Sequence, residues 1–267
     1  ASFHNGRTKI VAFTKSFHGR TSAAVAVTDN PSIKAPINFA DHVVFVPFND
    51  VEATKKAIDN ETCAVIVEGI QGVGGIQVAT EEFMKAIRNS CDKTGAIFIH
   101  DSVQCGYGRS GKFFTFQHYK IKPDIVSMAK GMGNGFPIGG ILISPKFQAK
   151  HGLLGTTFGG NHLACAAGIA VLDVIKKEKL VENAAEIGNY LLIELAKLKN
   201  FKEIRGTGLM IGIELNESVG EIRNKLLYED HIFTGVAGAN TIRLLPSLAL
   251  TKGEADRFLN ALRKYVN

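Results

Sequence analysis

A lysine embedded in glycine and two carboxylates that close apolar runs are the residues here with the clearest chemical potential. Lys130 sits in Ser127-Met128-Ala129-Lys130-Gly131-Met132-Gly133-Asn134-Gly135-Phe136-Pro137-Ile138-Gly139-Gly140. A lone lysine is ordinarily a solvated surface charge. At this position a cation has no obvious stabilising role, and the small neighbours leave space for a flat ring to approach. A Schiff-base lysine needs that access, and surroundings that keep its amine partly neutral. Glu68 and Asp101 each end a short apolar run. Either alone is more often a cap or turn residue, but in an open α/β sheet the strand ends line the ligand crevice.

Strands must present these residues. Apolar runs at 10–13, 43–46, 64–68, 96–100, 124–129 and 139–144 read as short strands, several of them continuously apolar and so covered on both faces. Helical patterns lie between them. Asn49 or Asp50 caps one that runs to about residue 58. Thr80 caps the next, with Glu81 and Glu82 in its first turn, Gly95 as its stop and Phe83, Ala86, Ile87 and Cys91 as its buried stripe. Helices at 162–179 and 181–198 follow, then strands at 209–215 and 242–245. A last helix starts at Thr251, where Glu254 completes a capping box, and carries Phe258, Leu259, Leu262 and Val266. The opening, Ala1 to Arg7, reads as the tail of a helix stopped by Gly6, as though the chain begins inside an element. The pattern predicts an α/β large domain over 1–175, including the long helix, and a smaller α+β domain over 176–267.

Composition narrows the class of function. The chain has 267 residues, 45% hydrophobic and 21% charged, ordinary values for a globular enzyme. The formal net charge of +6 comes from scattered Lys and Arg, which argues against a nucleic-acid function and suits anionic small molecules. Cys63, Cys91, Cys105 and Cys165 are far apart and form no paired metal-ligand spacing, so no metal site is predicted; three of them lie in apolar or small-residue surroundings, where buried free thiols are expected. No apolar run approaches the ~20 residues of a membrane span, and no secretory signal is visible, so a cytoplasmic protein is expected. Gly106-Tyr107-Gly108 and Gly72-Val73-Gly74-Gly75 do not complete a dinucleotide fingerprint and read as turns. His100 reads as a packing residue, and His18 as a neighbour of any ring bound nearby.

The Lys130 segment resembles the active-site lysine signature of the class III aminotransferases, pyridoxal 5'-phosphate (PLP) enzymes of fold type I. Three further segments match in the same order: Phe17-His18-Gly19-Arg20-Thr21, Asp101-Ser102-Val103-Gln104-Cys105-Gly106-Tyr107-Gly108-Arg109-Ser110-Gly111 and Thr156-Thr157-Phe158-Gly159-Gly160-Asn161. Within the class the chain is most similar to the acetylornithine and succinylornithine aminotransferases of arginine biosynthesis. The resemblance implies a mostly parallel sheet flanked by helices. It implies that Lys130 carries PLP and then moves the substrate's proton, and that Asp101 faces the pyridine nitrogen. By the same resemblance Gln104 bonds the phenolic oxygen, Phe17 stacks on the ring, and Thr157 reaches the phosphate of the neighbouring subunit's PLP with Thr156 close to substrate. A homodimer with shared active sites follows from that assignment.

The substrate contacts are implied in the same way. Arg243 takes the α-carboxylate of glutamate or 2-oxoglutarate, and Arg20 the far carboxylate of acylornithine or glutamate; a guanidinium matches a carboxylate with two parallel hydrogen bonds. Glu68 resembles a gate that neutralises Arg243 for ornithine-type donors and releases it for glutamate. Two departures stand out. Ser102 replaces the usual Glu of Asp-Glu-Val-Gln, and Val73 replaces the Glu of Gly-Glu-Gly. The family's glycine-threonine phosphate loop would lie upstream of Ala1, so an N-terminal part of the full-length enzyme is expected to be missing. Ornithine or 4-aminobutyrate aminotransferases, a 1,2-aminomutase, and an idle fragment acting as a binding module remain as alternatives.

Overall fold

The apolar runs of the first half form a sheet covered by helices. The computed structural model describes residues 1–148 and 150–266. The chain divides into two compact units. The first is Ala1–Gly69, Ala79–Gln104 and Phe116–Lys177; the second is Ile70–Val78, Cys105–Thr115 and Glu178–Asn267. Two segments from the first half of the chain thus belong to the second unit, while the helix His162–Lys177 stays with the first.

The first unit holds a six-stranded sheet, in the order Val43–Val46, Lys9–Phe13, Thr62–Glu68, Ile97–Asp101, Ile125–Met128, Gly140–Ile143. The first five strands run parallel and the last antiparallel. Nearly every side chain of the central Thr62–Glu68 strand is buried, which is why its sequence does not alternate. The helix Glu81–Thr94 packs here. The Thr80 hydroxyl accepts from the Phe83 N–H at 3.2 Å, and Gly95 ends the helix at φ 72°. Phe83 stacks edge-on against Phe13 and Phe48, with ring centroids 4.9 and 5.1 Å apart. Met84, Ile87 and Cys91 complete that core.

The second unit holds a four-stranded antiparallel sheet, ordered Gly235–Ala237, Thr241–Leu244, Met210–Glu214, Glu203–Thr207. Leu191 and Leu195 of the helix Leu180–Leu195 and Leu259 and Leu262 of the helix Lys252–Val266 pack with Leu209, Ile211, Ile213 and Ile242. The capping box is present: Thr251 N–H donates to Glu254 Oε2 at 2.8 Å, and Glu254 N–H donates to Thr251 Oγ1 at 3.3 Å. Strands Glu203–Thr207 and Gly235–Ala237, the helix Gly220–Tyr228 and the short hairpin Ile70–Gln71 with Gln77–Val78 are additions to the sequence reading. Their polar or very short sequences carry little periodic signal. No helix among the described residues is long and apolar enough to cross a membrane.

Candidate active site

Parallel strands of one sheet end at the same edge, and that polarity gathers the chemistry. Glu68 ends the strand Thr62–Glu68 and Asp101 ends its neighbour Ile97–Asp101, the two residues being paired in register. Asp101 is also in register with Ser127 on the next strand, and Lys130 lies just beyond that strand's end. Phe17 and His18 lie in the loop that follows the strand Lys9–Phe13. Lys130 opens a 3-10 turn with φ 46°, in the left-handed region that only glycine enters freely. Such a conformation costs about 1–3 kcal/mol and persists where surrounding structure enforces it, commonly at functional sites.

Asp101 is buried and held on both oxygens. Oδ1 accepts from the Val103 N–H at 3.0 Å and the Ser127 hydroxyl at 3.1 Å. Oδ2 lies 2.8 Å from His18 Nδ1. Burial by itself pushes the Asp101 carboxyl up; the hydrogen bond from His18, with those from Val103 and Ser127, outweighs it and holds the group below the usual carboxylate range. Glu68 is also buried, and its Oε1 accepts from the Phe17 N–H at 3.0 Å. His100, next to Asp101, is fully buried, bonded through Nδ1 to the Ser102 hydroxyl, and pushed by burial down to about 4. It is a neutral packing residue at physiological pH, as the sequence reading has it.

Phe17, His18, Glu68, Asp101, Gln104 and Lys130 line a small cavity of about 90 Å³. Five sequence-predicted residues therefore meet there: Phe17, Glu68, Asp101, Gln104 and Lys130. Arg20 is exposed and is not among the lining residues. Thr156 and Thr157 lie in an exposed segment before the helix His162–Lys177. Arg243 belongs to the second unit, on the strand Thr241–Leu244, where its Nη1 donates to the Gly72 carbonyl at 3.2 Å. It lines a larger, mainly apolar cavity of about 460 Å³ with Leu191, Leu244 and Phe258. The smaller cavity is the better candidate site, because it alone of the two collects the lysine and the ionised buried acid. Ser127 and the bond from His18 are contributions that sequence reasoning missed. Their only signal was adjacency to Phe17 and Lys130, since a hydrogen bond between loop and strand leaves no periodic trace.

The donor set fits the pyridine end of PLP: a buried anion, an aromatic ring, a side-chain amide and a primary amine surround one cavity. Thr157, assigned to phosphate by resemblance, stands outside it.

Comparison with known proteins agrees with this chemistry. Residues 1–266 match the family described as Aminotransferase class-III. A putative LysW-aminoadipate semialdehyde/glutamate semialdehyde transaminase of Pyrococcus furiosus is 42% identical over 100% of this chain and 71% of its own length. An acetylornithine aminotransferase of Caldanaerobacter subterraneus is 43% identical over 96% of this chain and 67% of its own. The structure of an ornithine aminotransferase from Toxoplasma gondii, described with partial occupancy of PLP at its active site, superimposes with a TM-score of 0.89 at 27% identity. That alignment covers 97% of this chain and 64% of the Toxoplasma chain, so the present chain spans about two thirds of the proteins it matches. The mostly parallel sheet, the site at its strand ends and the match along residues 1–266 together place the chain in the class III aminotransferase family, with the fold type I architecture of PLP-dependent transferases.

Proposed function

We propose that the protein transfers the δ-amino group of N-acetylornithine or N-succinylornithine to 2-oxoglutarate, yielding the acylated semialdehyde and glutamate, as a step of arginine biosynthesis in the cytoplasm. The observation that carries this reading is the meeting of Lys130 and Asp101 at one cavity with Phe17, Glu68 and Gln104.

When bound, PLP supplies an electron-withdrawing ring that stabilises negative charge on the amine-bearing carbon of the substrate. Lys130 would hold the cofactor through its amine, and the same amine would serve as the base that moves the proton at that carbon. Its exposed side chain is accessible for both tasks. Asp101, ionised and buried, would keep a proton on the ring nitrogen. Phe17 would cover a ring face, and the Gln104 amide would donate to the phenolic oxygen. Arg20 and Arg243 are assigned to the substrate carboxylates by the family resemblance, a role that suits the planar guanidinium. Glu68 is assigned the gate, which requires its carboxylate to give up the Phe17 N–H or to turn about that bond. Thr156 is assigned to substrate and Thr157 to the phosphate of a second subunit's cofactor, in a homodimer. Exposed apolar side chains on the helix His162–Lys177, among them Leu163, Ile169 and Leu172, suit such burial.

Ornithine as donor is a second reading, favoured by the fold-wide likeness to the Toxoplasma ornithine aminotransferase. The Pyrococcus relative adds LysW-carried substrates to the possible donors. A donor panel of acetylornithine, succinylornithine, ornithine, 4-aminobutyrate and a LysW-carried amine, with 2-oxoglutarate as acceptor, decides among them. Turnover confined to the acylated ornithines supports the proposal; preference for another donor replaces its substrate. No turnover and no PLP binding leaves a binding module.

A further inference from the structure

We propose that His18 is the positioning residue of Asp101, donating from Nδ1 to fix the carboxylate on which the aminotransferase reading depends. The bond spans 2.8 Å, and the two side chains are 1% and 7% exposed, so water does not compete for it. An ionised carboxylate only accepts, which places the proton on Nδ1 and sets the imidazole tautomer. The opposite nitrogen, Nε2, is buried and has no hydrogen-bond partner among the described residues, so nothing on that side competes for the tautomer.

His18 is in turn held through its own backbone. Its N–H donates to Thr28 Oγ1 at 2.9 Å, and that hydroxyl donates to the Ala24 carbonyl at 2.9 Å. One residue earlier, the Phe17 N–H is taken by Glu68. One residue later, Gly19 has φ 132°, and a Cβ there would stand 3.3 Å from the Ala24 methyl. The loop is therefore pinned on both sides of the imidazole. Val103 N–H and the Ser127 hydroxyl occupy Oδ1, and His18 holds Oδ2. The other titratable groups around Asp101 are Glu68 and Lys130, which line the same cavity, and His100, the preceding residue of its strand. His100 is neutral above about pH 4 and bonded to Ser102, so it does not substitute for His18.

Two substitutions separate donation from packing. His18→Asn sets an amide N–H near the position of Nδ1, whereas His18→Leu fills the space without a donor. In the PLP-loaded protein, His18→Leu is expected to lower kcat about ten- to a hundredfold, as loss of a hydrogen bond to a charged group does. It should also move the pH titration of the cofactor's visible absorption, and His18→Asn should recover most of both. Nitrogen NMR of the cofactor-free protein should find His18 protonated at Nδ1, a preference that Asp101→Asn removes. An Nε2-protonated tautomer overturns the proposal, and so does an unchanged titration in His18→Leu. Equal losses in the Leu and Asn variants with an unmoved titration reduce His18 to packing and overturn it as well. If His18→Leu fails to fold, the Asn variant and the NMR signal still decide. A wild-type protein with the Nδ1 proton but no PLP binding sinks the aminotransferase reading instead, so the two failures are distinguishable.

Discussion

Glu68 and Asp101 lie opposite one another in register at the ends of adjacent parallel strands, both buried, yet their partners differ in kind. Glu68 accepts a backbone N–H from Phe17, whereas Asp101 faces an imidazole and a hydroxyl besides a backbone N–H. Two neighbouring carboxylates with unlike surroundings can take unlike roles.

Replacing Lys130 by Ala should abolish the visible band of the lysine-bound cofactor together with transamination. Stability should change by no more than about 0.5 kcal/mol, because the side chain is exposed and the left-handed backbone is retained. Absorption spectra and denaturant melts check both. A lysine adduct still trapped by borohydride in this variant would reject the assignment.

Asp101→Asn keeps size and loses charge. Turnover should fall by several powers of ten, each worth about 1.4 kcal/mol of barrier. Steady-state kinetics of the cofactor-saturated variant is the measurement, and near-normal turnover with PLP bound would count against the pairing with the ring nitrogen.

The arginines should separate by substrate. Arg20→Lys should raise KM for both acylornithine and 2-oxoglutarate, because lysine keeps the charge but loses the two-pronged geometry. Arg243→Lys should slow the 2-oxoglutarate half-reaction more than the acylornithine half-reaction, since the keto acid reacts next to its α-carboxylate and the amine donor does not. Glu68→Gln keeps an acceptor for the Phe17 N–H while removing the negative charge, so it should alter the ratio of the two half-reactions with little loss of fold. Single-turnover rates for each half test this, and equal losses for Arg243→Lys would sink the gate.

His100 predicts a pH dependence of stability. Burial depresses its folded pKa from 6.5 to about 4, with the Asp101 charge acting weakly the other way. The unfolded chain therefore takes up a proton near pH 6.5 that the folded one refuses. The stabilisation is present in full above that pH and is lost as pH falls through about 4. Its size is on the order of 3 kcal/mol. His100→Gln should flatten the wild-type decline between those limits, as read from urea unfolding; an identical decline in both proteins would contradict it.

Gly188 marks a close approach within the second unit. A Cβ there would fall 2.2 Å from the Gly208 carbonyl oxygen, a backbone atom that cannot turn aside. Gly188→Ala should therefore destabilise by about 1–3 kcal/mol despite its better helix propensity. Thermal unfolding gives the sign, and a stabilised variant would mean that the helix can move away.

Much was legible in the sequence because it is written locally. Thr80, Glu81 and Gly95 delimit their helix through bonds and dihedral preferences a few residues long, and Thr251 with Glu254 does the same. Continuously apolar runs named the strands that are covered on both faces, and the glycines around Lys130 marked an open backbone. Glu203–Thr207 and Gly235–Ala237 escaped because they acquire strand geometry from the neighbours they pair with. By itself the sequence determined the kinds of element, the lysine and the two acids, since each depends on residue type and near neighbours. Tertiary structure alone decided that Ile70–Val78 and Cys105–Thr115 join the second unit, that Glu68 and Asp101 share a register, and that Asp101 is tied to His18, 83 positions away. These are contacts between distant segments, set by how strands align and loops close over their ends, and no local pattern records them.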